Sequence, residues 1–123
     1  MKAIKLKVKY TRLGIIADAL LGYADLCGIK VDITGFNYER RDDYKIRMSI
    51  ATELYYKIQE QLNKRYPAET YKIPLEYHHA TILQHALLIY VGETKDDFKR
   101  NAIEIVKNEL NAEIVNLSKT VTP

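Results

Sequence analysis

Tryptophan is absent from this chain, and cysteine occurs once, as Cys27. A single cysteine excludes an intramolecular disulfide and fits a reducing compartment. With five glycines and three histidines there is no glycine-rich phosphate loop, no Gly-x-Ser-x-Gly elbow, no Cys-x-x-Cys pair and no His-Glu-x-x-His. Long apolar runs are missing too. The two most apolar stretches are Leu13–Cys27, broken by Asp18 and Asp25, and Ala80–Val91, which contains Gln84 and His85 and is too short to span a bilayer. The N-terminus alternates lysine with apolar residues and lacks the continuous apolar segment of a signal peptide. These absences predict a soluble cytoplasmic protein with no membrane partner and no cofactor.

What is present is an ordinary globular balance: 123 residues, 47% hydrophobic and 28% charged, with a net charge of +3. That length fits one domain, read as residues 1–117 with a flexible tail over 118–123. The charge is mild for a dedicated nucleic-acid binder. Ile, Lys, Tyr and Asn, all with AT-rich codons, are abundant, which suits a phage or mobile-element origin.

Residues 4–10 alternate, with Ile4, Leu6, Val8 and Tyr10 on one side and Lys5, Lys7 and Lys9 on the other, and this predicts a half-buried strand. Thr11 then caps a helix whose stripe is Leu13, Ile16, Leu20, Tyr23 and Cys27, widened by Ile15, Ala19 and Leu26. Gly28 sits where a terminating glycine belongs. Gly14 and Gly22 inside that helix call for a closely packed neighbour. Lys30–Phe36 and Tyr44–Ile50 alternate again and read as a hairpin joined by the polar loop Asn37–Asp43. A second helix, capped by Ser49, carries Ala51, Leu54, Tyr55, Ile58 and Leu62 inward and stops at Pro67.

Tyr71–Leu75 reads as a short strand or an extended lead-in, with Pro74 in the first turn of a third helix whose stripe is Ala80, Leu83, Leu87 and Tyr90. Gly92 ends that helix. Thr94 and Asp97 form a capping box for a fourth helix, with Phe98, Ala102, Ile105, Val106 and Leu110 inward. Ile114–Leu117 suggests a last strand. The whole predicts a small α+β domain, an antiparallel or mixed sheet with helices on one face. A split βαβ (ferredoxin-like) start with two extra helices is the favoured topology, and a mainly α bundle is the rival.

Four groups of residues carry candidate chemistry. Lys5, Lys7 and Lys9 stand about 6.6 Å apart along a strand face, a spacing that follows a phosphate backbone, with Tyr10 and Arg12 extending the patch. The same row equally serves to discourage sheet-to-sheet aggregation, and that structural role is favoured. Ten tyrosines dominate the aromatics, and Tyr suits half-buried and interface positions. Tyr55 and Tyr56 are neighbours that cannot both face one core, and Tyr66, Tyr71 and Tyr77 flank the Pro67 turn. These five are the candidate protein interface.

His78 and His85 lie seven residues apart on one helix face, with His79 pointing elsewhere. No complete metal-ligand set accompanies them, so they read as surface or interfacial histidines. Cys27 reads as core, and Asp18 and Asp25 as a solvated stripe. No catalytic or metal residues are assigned. The favoured expectation is a non-enzymatic module acting through contact with another protein or a second copy of itself. The alternatives are nucleic-acid binding through Lys5, Lys7, Lys9 and Arg12, and a small enzyme using His78, His85 or a carboxylate.

Overall fold

The computed structural model describes residues 4–65 and 68–121, with side chains as far as Asn116. Its elements in order are β1 (Ile4–Lys9), α1 (Tyr10–Thr34), α2 (Tyr38–Leu62), β2 (Thr70–Leu75), α3 (Tyr77–Glu93) and α4 (Asp97–Val121). The fold is a small α+β arrangement of four helices and a two-stranded antiparallel sheet. β1 and β2 pair with Ile4 opposite Leu75, Leu6 opposite Ile73 and Lys7 opposite Lys72. The side-chain period of two then sorts the residues. Ile4, Leu6, Val8, Ile73 and Leu75 are buried, while Lys5, Lys7, Lys9 and Lys72 are exposed.

Helix α1 is the hub and packs against β1, α2, α3 and α4. Its stripe, Leu13, Ile16, Leu20, Tyr23 and Cys27, is buried throughout, joined by Ile15 and Ala19 on a second side. Leu54 and Ile58 of α2, Leu83 and Leu87 of α3, and Ile103 and Leu110 of α4 close over it. Each such side chain contributes about 1.5–3 kcal/mol on burial. No helix among the described residues is long and apolar enough to cross a membrane.

The expected hairpin is not a sheet. Lys30–Thr34 continues α1, Tyr44–Ile50 lies inside α2, and the polar run between them supplies the turn and the first turns of α2. With both middle strands helical, the split βαβ topology is absent and β1 pairs directly with β2. The physical reason lies in the stripes. From Cys27, Val31 and Thr34 follow at spacings of four and three, and backward from Ala51 come Met48 and Tyr44. These partly buried positions keep α1 and α2 facing each other. Gly28 is therefore a mid-helix residue; a Cβ there would meet the Met48 sulfur at 3.5 Å, an ordinary contact. Gly35, at φ 51°, makes the reversal instead. Nothing lies within 4 Å of where a Cβ would stand on Gly14 or Gly22, so close packing does not account for either.

Other boundaries shift for local reasons. Asn37 caps α2, its side-chain oxygen accepting from the Arg40 amide at 3.2 Å, so Ser49 caps nothing. α2 ends at Leu62, and Pro67 lies outside the described residues. Pro74 stands within β2 opposite Lys5 rather than in a helix turn, which a strand with a free edge allows. Asp96, not Thr94, caps α4: its Oδ1 accepts from the amides of Phe98 and Lys99. α4 continues to Val121, through the strand expected at 114–117 and the first residues of the expected tail. On α4, Ala102, Ile103, Val106 and Leu110 face inward, whereas Phe98 and Ile105 face solvent.

Candidate functional site

The lysine row lies on the open face of the sheet. Lys72 of β2 stands directly across from Lys7, and Lys5, Lys7, Lys9, Arg12 and Thr70 line one wall of a concavity of about 490 Å3 whose other wall is Glu109, Ala112 and Glu113 of α4. None of these five cations pairs with a carboxylate among the described residues. Tyr10 does not extend the patch. Its hydroxyl donates to the Leu62 carbonyl at 3.2 Å, tying the start of α1 to the end of α2.

Among the described members of the tyrosine set, the ring contacts are Tyr55 with Tyr56 and Tyr71 with Tyr10. Tyr55 and Tyr56 contact each other edge-on on α2, with Tyr56 exposed and Tyr55 half-buried. Tyr71 leans on Tyr10 and lies beneath the Lys64 ammonium, its hydroxyl accepting from the Ala68 amide. Tyr77 is exposed at the start of α3, and Tyr66 lies outside the described residues. Exposed apolar side chains concentrate elsewhere. Between Gly28 and Ile50 no residue is buried, yet both limbs of this stretch are helical. The distal halves of α1 and α2 thus form an arm that carries Ile29, Ile33, Phe36, Tyr38 and Ile46 outward, Phe36 with 92% of its surface exposed.

His78 and His85 do not meet. His78 stacks on His79, with ring centroids 4.1 Å apart, and its Nδ1 lies 3.5 Å from a Glu76 carboxylate oxygen. His79 is buried, and its Nδ1 accepts from the Glu76 amide at 3.3 Å, closing the α3 capping box. Burial, and then the neighbouring His78, hold the His79 imidazole below its ordinary pKa. Glu76, His78 and His79 offer ligand atoms within 4.8 Å of one another. A metal there would meet a competing bond, because with Nδ1 accepting, the Nε2 of neutral His79 carries the proton. Asp18 and Asp25 are both exposed on α1.

The most convergent polar geometry sits where α1, α2 and α3 meet, in a pocket of about 280 Å3. Its centre is Arg47. Nε donates to Asp43 Oδ2 at 3.0 Å, and Nη1 reaches the Tyr23 hydroxyl at 3.3 Å and His85 Nδ1 at 3.1 Å. Guanidinium has no acceptor, so His85 Nδ1 must accept and its proton sits on Nε2. Burial and the Arg47 charge lower the His85 pKa, which favours that neutral form. Cys27 lies at the floor. Burial raises its pKa, and burial likewise raises that of Tyr23, while the bond to Tyr23 strengthens Arg47's hold on its own charge.

Cys27 and His85, unrelated in the sequence, therefore share a site. Tyr23, Asp43 and Arg47 complete this candidate site, and none of the three is marked as a site residue in the sequence. The available signal was Asp43 four residues before Arg47, an ion pair on one helix face, concealed by reading residues 37–43 as a loop. Comparison with family models, curated proteins and solved structures found no match.

Proposed function

We propose that this chain is an assembly module that works by protein–protein contact, through the α1–α2 arm, with a second copy as the partner. The observation that carries the reading is the arm itself. This helical hairpin has no fully buried side chain from Gly28 to Ile50, its two limbs pack on each other, and its outer sides have no neighbour among the described residues' elements. Five large apolar side chains projecting from such an arm suit an interface. Its tip carries both signs of charge, with Arg40 and Arg41 set between Glu39 and Asp42. A two-fold related copy running the other way can match them, as a self-complementary interface requires. Sedimentation analysis tests this. The native chain should form a dimer, and Ile33→Asp with Phe36→Asp should return it to a folded monomer. A native chain that stays monomeric at high concentration refutes the reading.

A second reading rests on Lys72 joining Lys5, Lys7 and Lys9 on one sheet face, with Arg12 of α1 lining the same concavity as the β1 lysines, a cluster of cations that suits a phosphate backbone. Glu109 and Glu113 on the facing wall oppose it. Gel shifts at low and moderate salt decide: replacing the three β1 lysines with Gln should abolish binding, and an unchanged shift rejects the face.

A further inference from the structure

The pocket between α1, α2 and α3 is built around a cation that its own partners do not fully use. Arg47 spends Nε on Asp43 and Nη1 on Tyr23 and His85. Its Nη2, with two N–H donors, has no hydrogen-bond partner among the described residues. The three bonds hold the guanidinium in one orientation, so little rotamer freedom is left to lose when a ligand arrives. Lys30 lines the same pocket, exposed and without an ion pair among the described residues.

Against Asp43, these two cations leave one positive charge in excess. Beside Tyr23, Tyr44 and His85, the rest of the lining is apolar. Leu26, Leu88 and Ile89 surround the opening, and Leu88 keeps 58% of its surface exposed at the rim with no core role.

We propose that this pocket binds a small organic monoanion, a carboxylate on a short apolar body, with Arg47 and Lys30 holding the carboxylate and Leu26, Leu88 and Ile89 covering the body. A carboxylate oxygen can accept a charge-assisted hydrogen bond from the unused Nη2. Inorganic phosphate, with more charge and no apolar part, matches neither the single excess charge nor the walls. The volume of about 280 Å3 sets the size, at the small end of ligand pockets. The site binds rather than catalyses. Cys27 and Tyr23 are held protonated by burial, and the His85 nitrogen that could act as a base is occupied by Arg47. Lys30 and Arg47 belong to the arm, but the proposal does not rest on its self-association, and the two fail independently.

The test is an amide-resolved NMR titration of the full chain with hexanoate, hexanol and inorganic phosphate. Hexanoate should shift Leu26, Lys30 and Leu88 saturably, and hexanol should bind more weakly by about tenfold or more, the loss expected for a charged hydrogen bond. Lys30→Gln and Leu88→Asp both alter exposed residues and should each weaken hexanoate binding while the core resonances stay in place. The proposal is overturned if hexanoate leaves these amides unmoved, if hexanol or phosphate binds as well as hexanoate, or if both variants bind hexanoate like the native chain.

Discussion

The Nη1 of Arg47 lies 3.1 Å from Nδ1 of His85, so a permanent cation on α2 sets the tautomer of an imidazole on α3. Two helices are tied by a bond that exists only while the histidine is neutral. Replacing Arg47 with Leu removes the charge that helps depress the His85 pKa. The His85 ring should then titrate at higher pH in a proton NMR series. An unaltered titration curve would show that Arg47 exerts no influence on it.

Stability should fall with acidification at mildly acidic pH. His79 and His85 both have folded pKa values below the ordinary 6.5. The unfolded chain therefore takes up protons first. The stabilisation is complete above the unfolded value and is lost as pH drops through it toward the folded values. Protonation also destroys the acceptor that closes the α3 capping box at His79. The urea midpoint should be lower at about pH 5.5 than at about pH 7.5, and a double variant, His79→Gln with His85→Gln, should show a smaller drop. Equal midpoints in the native chain would contradict this.

Gly22 inside α1 and Gly35 just after it respond to alanine in opposite ways. Gly22 is exposed within the helix, with open space where a Cβ would stand, so Gly22→Ala should stabilise by about 0.5–1 kcal/mol. Gly35 sits at φ 51° between α1 and α2, where Gly35→Ala should destabilise by about 1 kcal/mol or more. Thermal melts of the two variants should move in opposite directions.

On α4, Ile103 is fully buried and Ile105, two residues on, keeps 41% of its surface exposed. Ile103→Ala should cost about 2–5 kcal/mol through lost transfer energy and the cavity left behind. Ile105→Ala should cost less than about 1 kcal/mol. Similar losses in denaturant titrations would mean that α4 is rotated from the orientation described.

Ile105 also shows where periodicity stops being informative. Spacings of three and four from Ala102 admit Ile105 and Val106 alike, and the packing of α3, β1 and α1 against α4 selects Ile103 and Val106. The middle of the chain shows the same ambiguity at larger scale. Val31 and Ile33 alternate as a strand would, yet Cys27, Val31 and Thr34 also continue a helical stripe. Gly28, taken as a stop, concealed that continuity. Of the pocket, Cys27 and His85 were visible as residue types, but Arg47 carries no local mark of its role, because its partners come from α1 and α3.

The amino-acid order by itself determined the half-buried first strand, the apolar stripe of α1, the central positions of the α2 and α3 stripes and the α+β class, since each rests on a repeat visible within one segment. Only the tertiary structure decided that residues 30–34 and 44–50 are helical, that β1 pairs with β2, and that Tyr23, Arg47 and His85 converge. A short window of alternating residues fits a strand or one side of a helix, and what breaks the tie is the surface that α1 and α2 offer each other, a contact between distant segments that no local pattern contains.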